Sequence, residues 1–127
     1  MTMGLKVLFI VQFAVGALFS VSFLLTPKKS MKMFGVDNPS EQYVLLTRLY
    51  GAKVLLLCVV AWFAAGMADS VARQGIVVAY AVSQGVSFSV FLPYMIKKTL
   101  NPIGWIPTAL EGLFAVAYVY FAVTMSI

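Results

Sequence analysis

Hydrophobic positions in this chain fall into long, nearly continuous runs separated by short polar stretches. Four runs reach the roughly 20 apolar residues that a helix needs to cross a bilayer: Leu5 to Leu25, Val44 to Met67, Gly75 to Ile96 and Ile103 to Ile127. They predict an all-α integral membrane protein, a four-helix bundle forming a single membrane domain over residues 1–127. Short connections make sequential helices antiparallel neighbours, so the expected order is up-down-up-down.

The first run is longer than the apolar core of a cleaved leader and is read as a retained span. Gln12, Gly16 and Ser20 give it a face suited to helix packing. After Thr26-Pro27, residues Lys28 to Gln42 form the one sizeable loop, with a turn expected at Asp37-Asn38-Pro39-Ser40. Met33 and Phe34 are expected to dip into the headgroup region while the lysines stay wet or touch anionic lipid. The second connection, Ala68 to Gln74, is short, and Asp69-Ser70 has the look of a helix cap. The third, Lys97 to Pro102, is equally brief. No internal repeat or low-complexity stretch stands out.

Composition supports this reading, since 62% of the 127 residues are hydrophobic and 10% are charged, too apolar for a water-soluble globule. The formal net charge is +5, but the basic residues are scattered over loops without aromatic interleaving, so nucleic acid is not an expected partner. They bear on orientation instead. Lys28, Lys29 and Lys32 lie in the first loop and Lys97 and Lys98 in the third, against Lys6 and Arg73 on the other side. By the positive-inside rule the first and third loops face the cytoplasm and both termini face away from it, in a bacterial inner membrane or an organellar membrane.

Several chemistries lack their residues. There is no histidine and a single cysteine, Cys58, so histidine-ligated haem, di-iron centres, ordinary catalytic zinc and paired-thiol exchange have no ligand set within the chain. No glycine-rich phosphate loop or nucleophile elbow occurs. Cys58 reads as a small core residue. No catalytic residue, metal site or cofactor is expected.

Ionisable groups at bilayer depth are costly and become site candidates by default. Counted from the ends of the apolar runs, Arg48 lies about 6 Å in, shallow enough to snorkel, while Lys53 lies about 13 Å in and Glu111 about 12 Å in. The matched depths predict a Lys53–Glu111 ion pair. Gln12 and Gln84 are expected in the same layer, so Gln12, Lys53, Gln84 and Glu111 form the candidate intramembrane polar site. Tyr80, Gln84, Ser87 and Phe91 share one face of the third span; Thr108, Glu111, Ala115 and Tyr118 share one face of the fourth. Tyr80, Ser87, Thr108 and Tyr118 are the candidate pocket lining. Arg48 is assigned to Glu41 or, with Lys28 and Lys29, to the interface and lipid phosphate. The plainer alternative is that these polar groups hold the helices in register and bind nothing. Pro93 and Pro107 are expected to kink the last two spans and release the carbonyls of Ser89 and Ile103.

Arg48-Leu49-Tyr50-Gly51-Ala52, Trp62-Phe63, Ala72-Arg73, Asn101 with Gly104-Trp105, and Tyr118 together resemble a family of small four-helix membrane proteins of unknown function, mostly bacterial. The resemblance extends over nearly the whole chain and implies topology rather than an activity. In physical terms, Gly51 and Ala52 permit close helix approach.

The leading functional expectation is a non-catalytic one: an accessory or assembly subunit packing against a larger membrane complex, or a self-associating bundle. The alternatives are a binder or carrier of a lipid, quinone or other apolar molecule held among Tyr80, Gln84, Glu111 and Tyr118, and a small proton-coupled transporter using Glu111.

Overall fold

The computed structural model describes residues 2–124. Its elements are α1 (Thr2–Leu25), α2 (Pro27–Met33), α3 (Glu41–Ala65), α4 (Val71–Ile96) and α5 (Trp105–Thr124), with a 3₁₀ turn at Pro102–Gly104 leading into α5. Among the described residues there is no strand. Four segments are long and apolar enough to cross a bilayer: Met3–Leu25, Glu41–Ala65, Val71–Ile96 and Pro102–Thr124. Residues 125–127, the expected end of the fourth span, lie outside the described residues.

Local chemistry sets the boundaries. A residue preceding proline is pushed out of the helical region, and Thr26 accordingly takes φ −131° and ψ 59°. Pro27 then opens α2 at its first position, where a missing N–H costs nothing. The Ser30 hydroxyl, buried in this elbow, donates to the carbonyls of Ser22 and Thr26. Part of the expected first loop is therefore a helix. It closes at Gly35, whose φ of 97° lets Gly35 N–H and Val36 N–H turn back onto the carbonyls of Lys32 and Met31, the glycine-terminated pattern that satisfies a helix's last acceptors.

α3 begins three residues earlier than its apolar run, with the Ser40 hydroxyl accepting from Tyr43 N–H. α4 begins at Val71, not Gly75, because Ser70 caps it and accepts from Arg73 N–H. At its other end Thr99 N–H reaches Tyr94 O and Lys98 N–H reaches Met95 O, with Lys98 at φ 60° in the place where Gly35 stands after α2. Pro107 falls in the first turn of α5, so it removes no helical hydrogen bond and the expected release of the Ile103 carbonyl is not needed. Pro93 sits in the last turn of α4.

The chain divides into two compact units, Lys6–Ala65 and Met1–Leu5 with Gly66–Ile127. In the first, α1 buries a stripe at Phe9, Gln12, Gly16, Ser20 and Phe23, spaced by threes and fours as one helix face requires. Close approaches occur where glycine removes a side chain. A Cβ on Gly16 would stand 3.2 Å from the Cys58 Cβ, and one on Gly51 would stand 2.9 Å from the Phe23 Cβ. With the Phe13–Trp62 ring contact at 4.9 Å, these pairs show α1 and α3 running antiparallel. Phe23 also meets Tyr50 and Phe34, at 5.5 and 6.3 Å between ring centroids, tying the segment after α2 to the α1–α3 hairpin.

The second unit is the α4–α5 hairpin. The Gln74 amide donates to Ala122 O, Tyr80 stacks on Tyr118, a Cβ on Gly112 would press on the Phe88 ring, and one on Gly104 would press on the Met95 thioether. Each step forward along α4 is thus matched by a step back along α5.

Candidate functional site

The residues of the expected polar layer belong to different hairpins, and each hairpin sets its own levels. In the first, Gly51 lies opposite Phe23 and Leu24, so the opening turns of α3 run past the end of α1. Lys53, two residues further on, is only about 6 Å, one helical turn, below the level of Leu25. It is exposed, and its ammonium reaches back to lie 5.8 Å from the centre of the Tyr50 ring. A cation over an aromatic face contributes about 0.5 to 2 kcal/mol. Lys53 thus stands near the end of α1, a relation between the two helices that a count along α3 alone does not give.

Gln12 is buried at 4% exposure, but not beside Lys53. Its neighbour Phe13 packs on Trp62, about 13 Å along α3 from Lys53. The two do not share a layer. Arg48 is exposed and, among the described residues, has no carboxylate within ion-pairing distance, Glu41 included. Seven residues of helix hold those two about 10 Å apart along the axis. Cys58 is buried and its thiol donates to Phe13 O at 3.3 Å, a packing role.

In the α4–α5 hairpin, Tyr80, Gln84, Thr108, Glu111 and Tyr118 are all buried, while Ser87 and Phe91 are half-buried. The Thr108 hydroxyl donates to Gly104 O at 2.8 Å. Tyr80 and Tyr118 stack with centroids 4.9 Å apart and planes 14° from parallel, and Phe114 extends the stack at 6.3 Å from Tyr118. Gln84 lies between the Tyr80–Tyr118 and Phe88–Gly112 contacts, which brings it within about one turn of Glu111 along the hairpin. The Tyr80–Tyr118–Phe114 stack thus occupies part of the face that the sequence reading assigned to a pocket. Phe114 was missed because a phenylalanine in an apolar run gives no sign of which way it faces; its spacing of four from Tyr118 was the available signal.

Two further features lie outside the expected site. Arg73, assigned to a loop by its charge, is buried at 2% exposure in the first turn of α4 and bonds Asp69 at 2.6 Å. In the other unit, Lys28, Lys29 and Lys32 of α2, with Asp37, Asn38 and Pro39, line a cleft of about 340 Å³.

Comparison with protein-family models, curated proteins and solved structures gives no match for this chain.

Proposed function

We propose that this protein is a non-catalytic integral membrane subunit, an accessory or assembly component whose α4 packs against a helix of a larger membrane complex. The observation that carries this reading is the unequal use of glycine. Glycine inside a helix costs about 0.5 to 1 kcal/mol relative to alanine, so each one asks for a reason. Gly16, Gly51, Gly104 and Gly112 have one, since a Cβ at any of them would meet a neighbouring side chain within about 3.2 Å. Gly75 and Gly85 do not, because nothing lies within 4 Å of where their Cβ would stand.

Those two glycines begin small-residue pairs at a spacing of four, Gly75 with Ala79 and Gly85 with Ser89, along the span. In lipid, where no hydrophobic force drives helices together, such surfaces favour association by letting backbones approach.

Purification in mild detergent from the native membrane tests the proposal. The native chain is expected to co-migrate with larger subunits in fixed stoichiometry, and Gly75→Leu with Gly85→Leu to release it while leaving its helical content unchanged. A native chain that migrates alone would overturn the subunit reading.

A further inference from the structure

The cleft beside α2 has a composition that its own fold does not explain. Lys28 and Lys32 stand four residues apart and Lys29 and Lys32 three apart on one short helix, spacings at which like charges repel. Among the described residues no carboxylate comes within ion-pairing distance of any of the three. Asp37 contributes the one negative charge in the lining, leaving a cleft with an excess of two positive charges.

The α2 side of the cleft is held in place by its own contacts. The Ser30 hydroxyl pins α2 to the end of α1 through Ser22 and Thr26, the Gly35 turn sends the chain back onto Lys32 and Met31, and Phe34 packs on Phe23. Its level is set by the two spans it joins. It follows directly on Leu25 and precedes Glu41, so it stands where apolar helix gives way to polar chain, the depth of lipid headgroups. Leu25 and Met33, both exposed, flank the lysines with surface suited to acyl chain.

We propose that this cleft binds the phosphodiester of an anionic glycerophospholipid whose headgroup carries hydroxyls. Lys28, Lys29 and Lys32 hold the phosphate oxygens, and Asp37 and Asn38 accept hydrogen bonds from the headgroup hydroxyls. The net positive lining selects against zwitterionic headgroups, whose cationic end it repels. A volume of about 340 Å³ lies at the small end of ligand sites and suits a headgroup while the acyl chains remain in the bilayer. This site does not depend on the subunit reading, because it lies on α2 and the purified chain alone suffices to test it.

The experiment is native mass spectrometry of the full chain in a non-ionic detergent, titrated separately with phosphatidylglycerol, phosphatidylcholine and inorganic phosphate. Phosphatidylglycerol is expected to be retained about tenfold or more above phosphatidylcholine, with inorganic phosphate failing to displace it at equal concentration. The triple variant Lys28→Gln, Lys29→Gln, Lys32→Gln should lose that preference by about tenfold or more, the scale set by removing three interfacial cations. The corresponding triple arginine variant should keep it, which separates loss of charge from loss of fold. Lys97→Gln with Lys98→Gln, an equally exposed basic pair outside the cleft, should leave it unchanged. Equal retention of the two lipids, equal loss in both glutamine variants, or displacement by inorganic phosphate would each overturn the proposal, the last in favour of a soluble phosphate ligand.

Discussion

Gly51 faces Phe23 so closely that a methyl group in place of its hydrogen would come within 2.9 Å of the Phe23 Cβ and 3.2 Å of the Leu24 backbone nitrogen. Backbone and Cβ atoms cannot swing aside, so Gly51→Ala forces α1 and α3 apart. A loss of about 1 to 3 kcal/mol is expected in detergent unfolding, the usual cost of overpacking. Gly16→Ala, 3.2 Å from the Cys58 Cβ, should cost less. Equal tolerance of both substitutions would show that the hairpin is looser than described.

Gly75→Ala and Gly85→Ala should act in the opposite sense on the isolated chain. With open space at both positions, each should raise stability by about 0.5 to 1 kcal/mol through the unfolded state and helix propensity. Denaturant titration of the purified variants checks this, and destabilisation by either would mean that the glycine meets a neighbour within its own chain.

Lys98 occupies the left-handed position that ends α4, at φ 60°. Left-handed backbone costs an L-residue about 1 to 2 kcal/mol, a penalty that glycine escapes. Lys98→Gly should therefore stabilise the chain by about 1 kcal/mol, and Gly35→Ala, at φ 97°, should destabilise it by a similar amount. Paired thermal unfolding curves in one detergent suffice, and a shift of the same sign in both variants would contradict the assigned caps.

Tyr118 tests whether the α4–α5 polar stripe is packing or pocket. Tyr118→Phe keeps the stack on Tyr80 and is expected to lose no more than about 1.5 kcal/mol, the net worth of a hydroxyl's hydrogen bond. Tyr118→Ala removes the ring and should lose about 3 to 5 kcal/mol. A ligand-lining role would instead leave stability little changed in both and alter the co-purifying small molecules.

Orientation is open to labelling. Lys29 and Thr99 are exposed, as is Ala68 in the intervening connection, while native Cys58 is buried and should stay silent. Cysteines at positions 29 and 99 are expected to react with an impermeant reagent only after the membrane is opened, and one at position 68 to react from outside. The reverse pattern would invert the topology drawn from the basic loops.

The four spans were legible because lipid as a solvent demands one thing of a helix surface, and runs such as Leu5 to Leu25 supply it without ambiguity. The face of α1 carrying Gln12, Gly16 and Ser20 was legible for the same reason, since small and polar residues avoid lipid. Helix α2 was not, although Pro27 and Gly35 are its start and stop signals, because its lysines suggest a solvated loop. The position of Lys53 relative to α1 was also hidden. It depends on how far α3 slides along α1, which the Gly51–Phe23 contact fixes and no count along a single helix can reveal. Arg73 was expected in the connection before α4, but the Ser70 cap draws it into the first turn of that helix, where it is buried.

The contacts of the α4–α5 hairpin are graded by their distance along the chain. Met95 and Gly104 meet across the turn, Phe88 and Gly112 next, Tyr80 and Tyr118 after them, and Gln74 with Ala122 last. Each contact shortens the loop that the next must close, so little chain entropy is lost at any single step. Such a hairpin can close like a zipper from its turn.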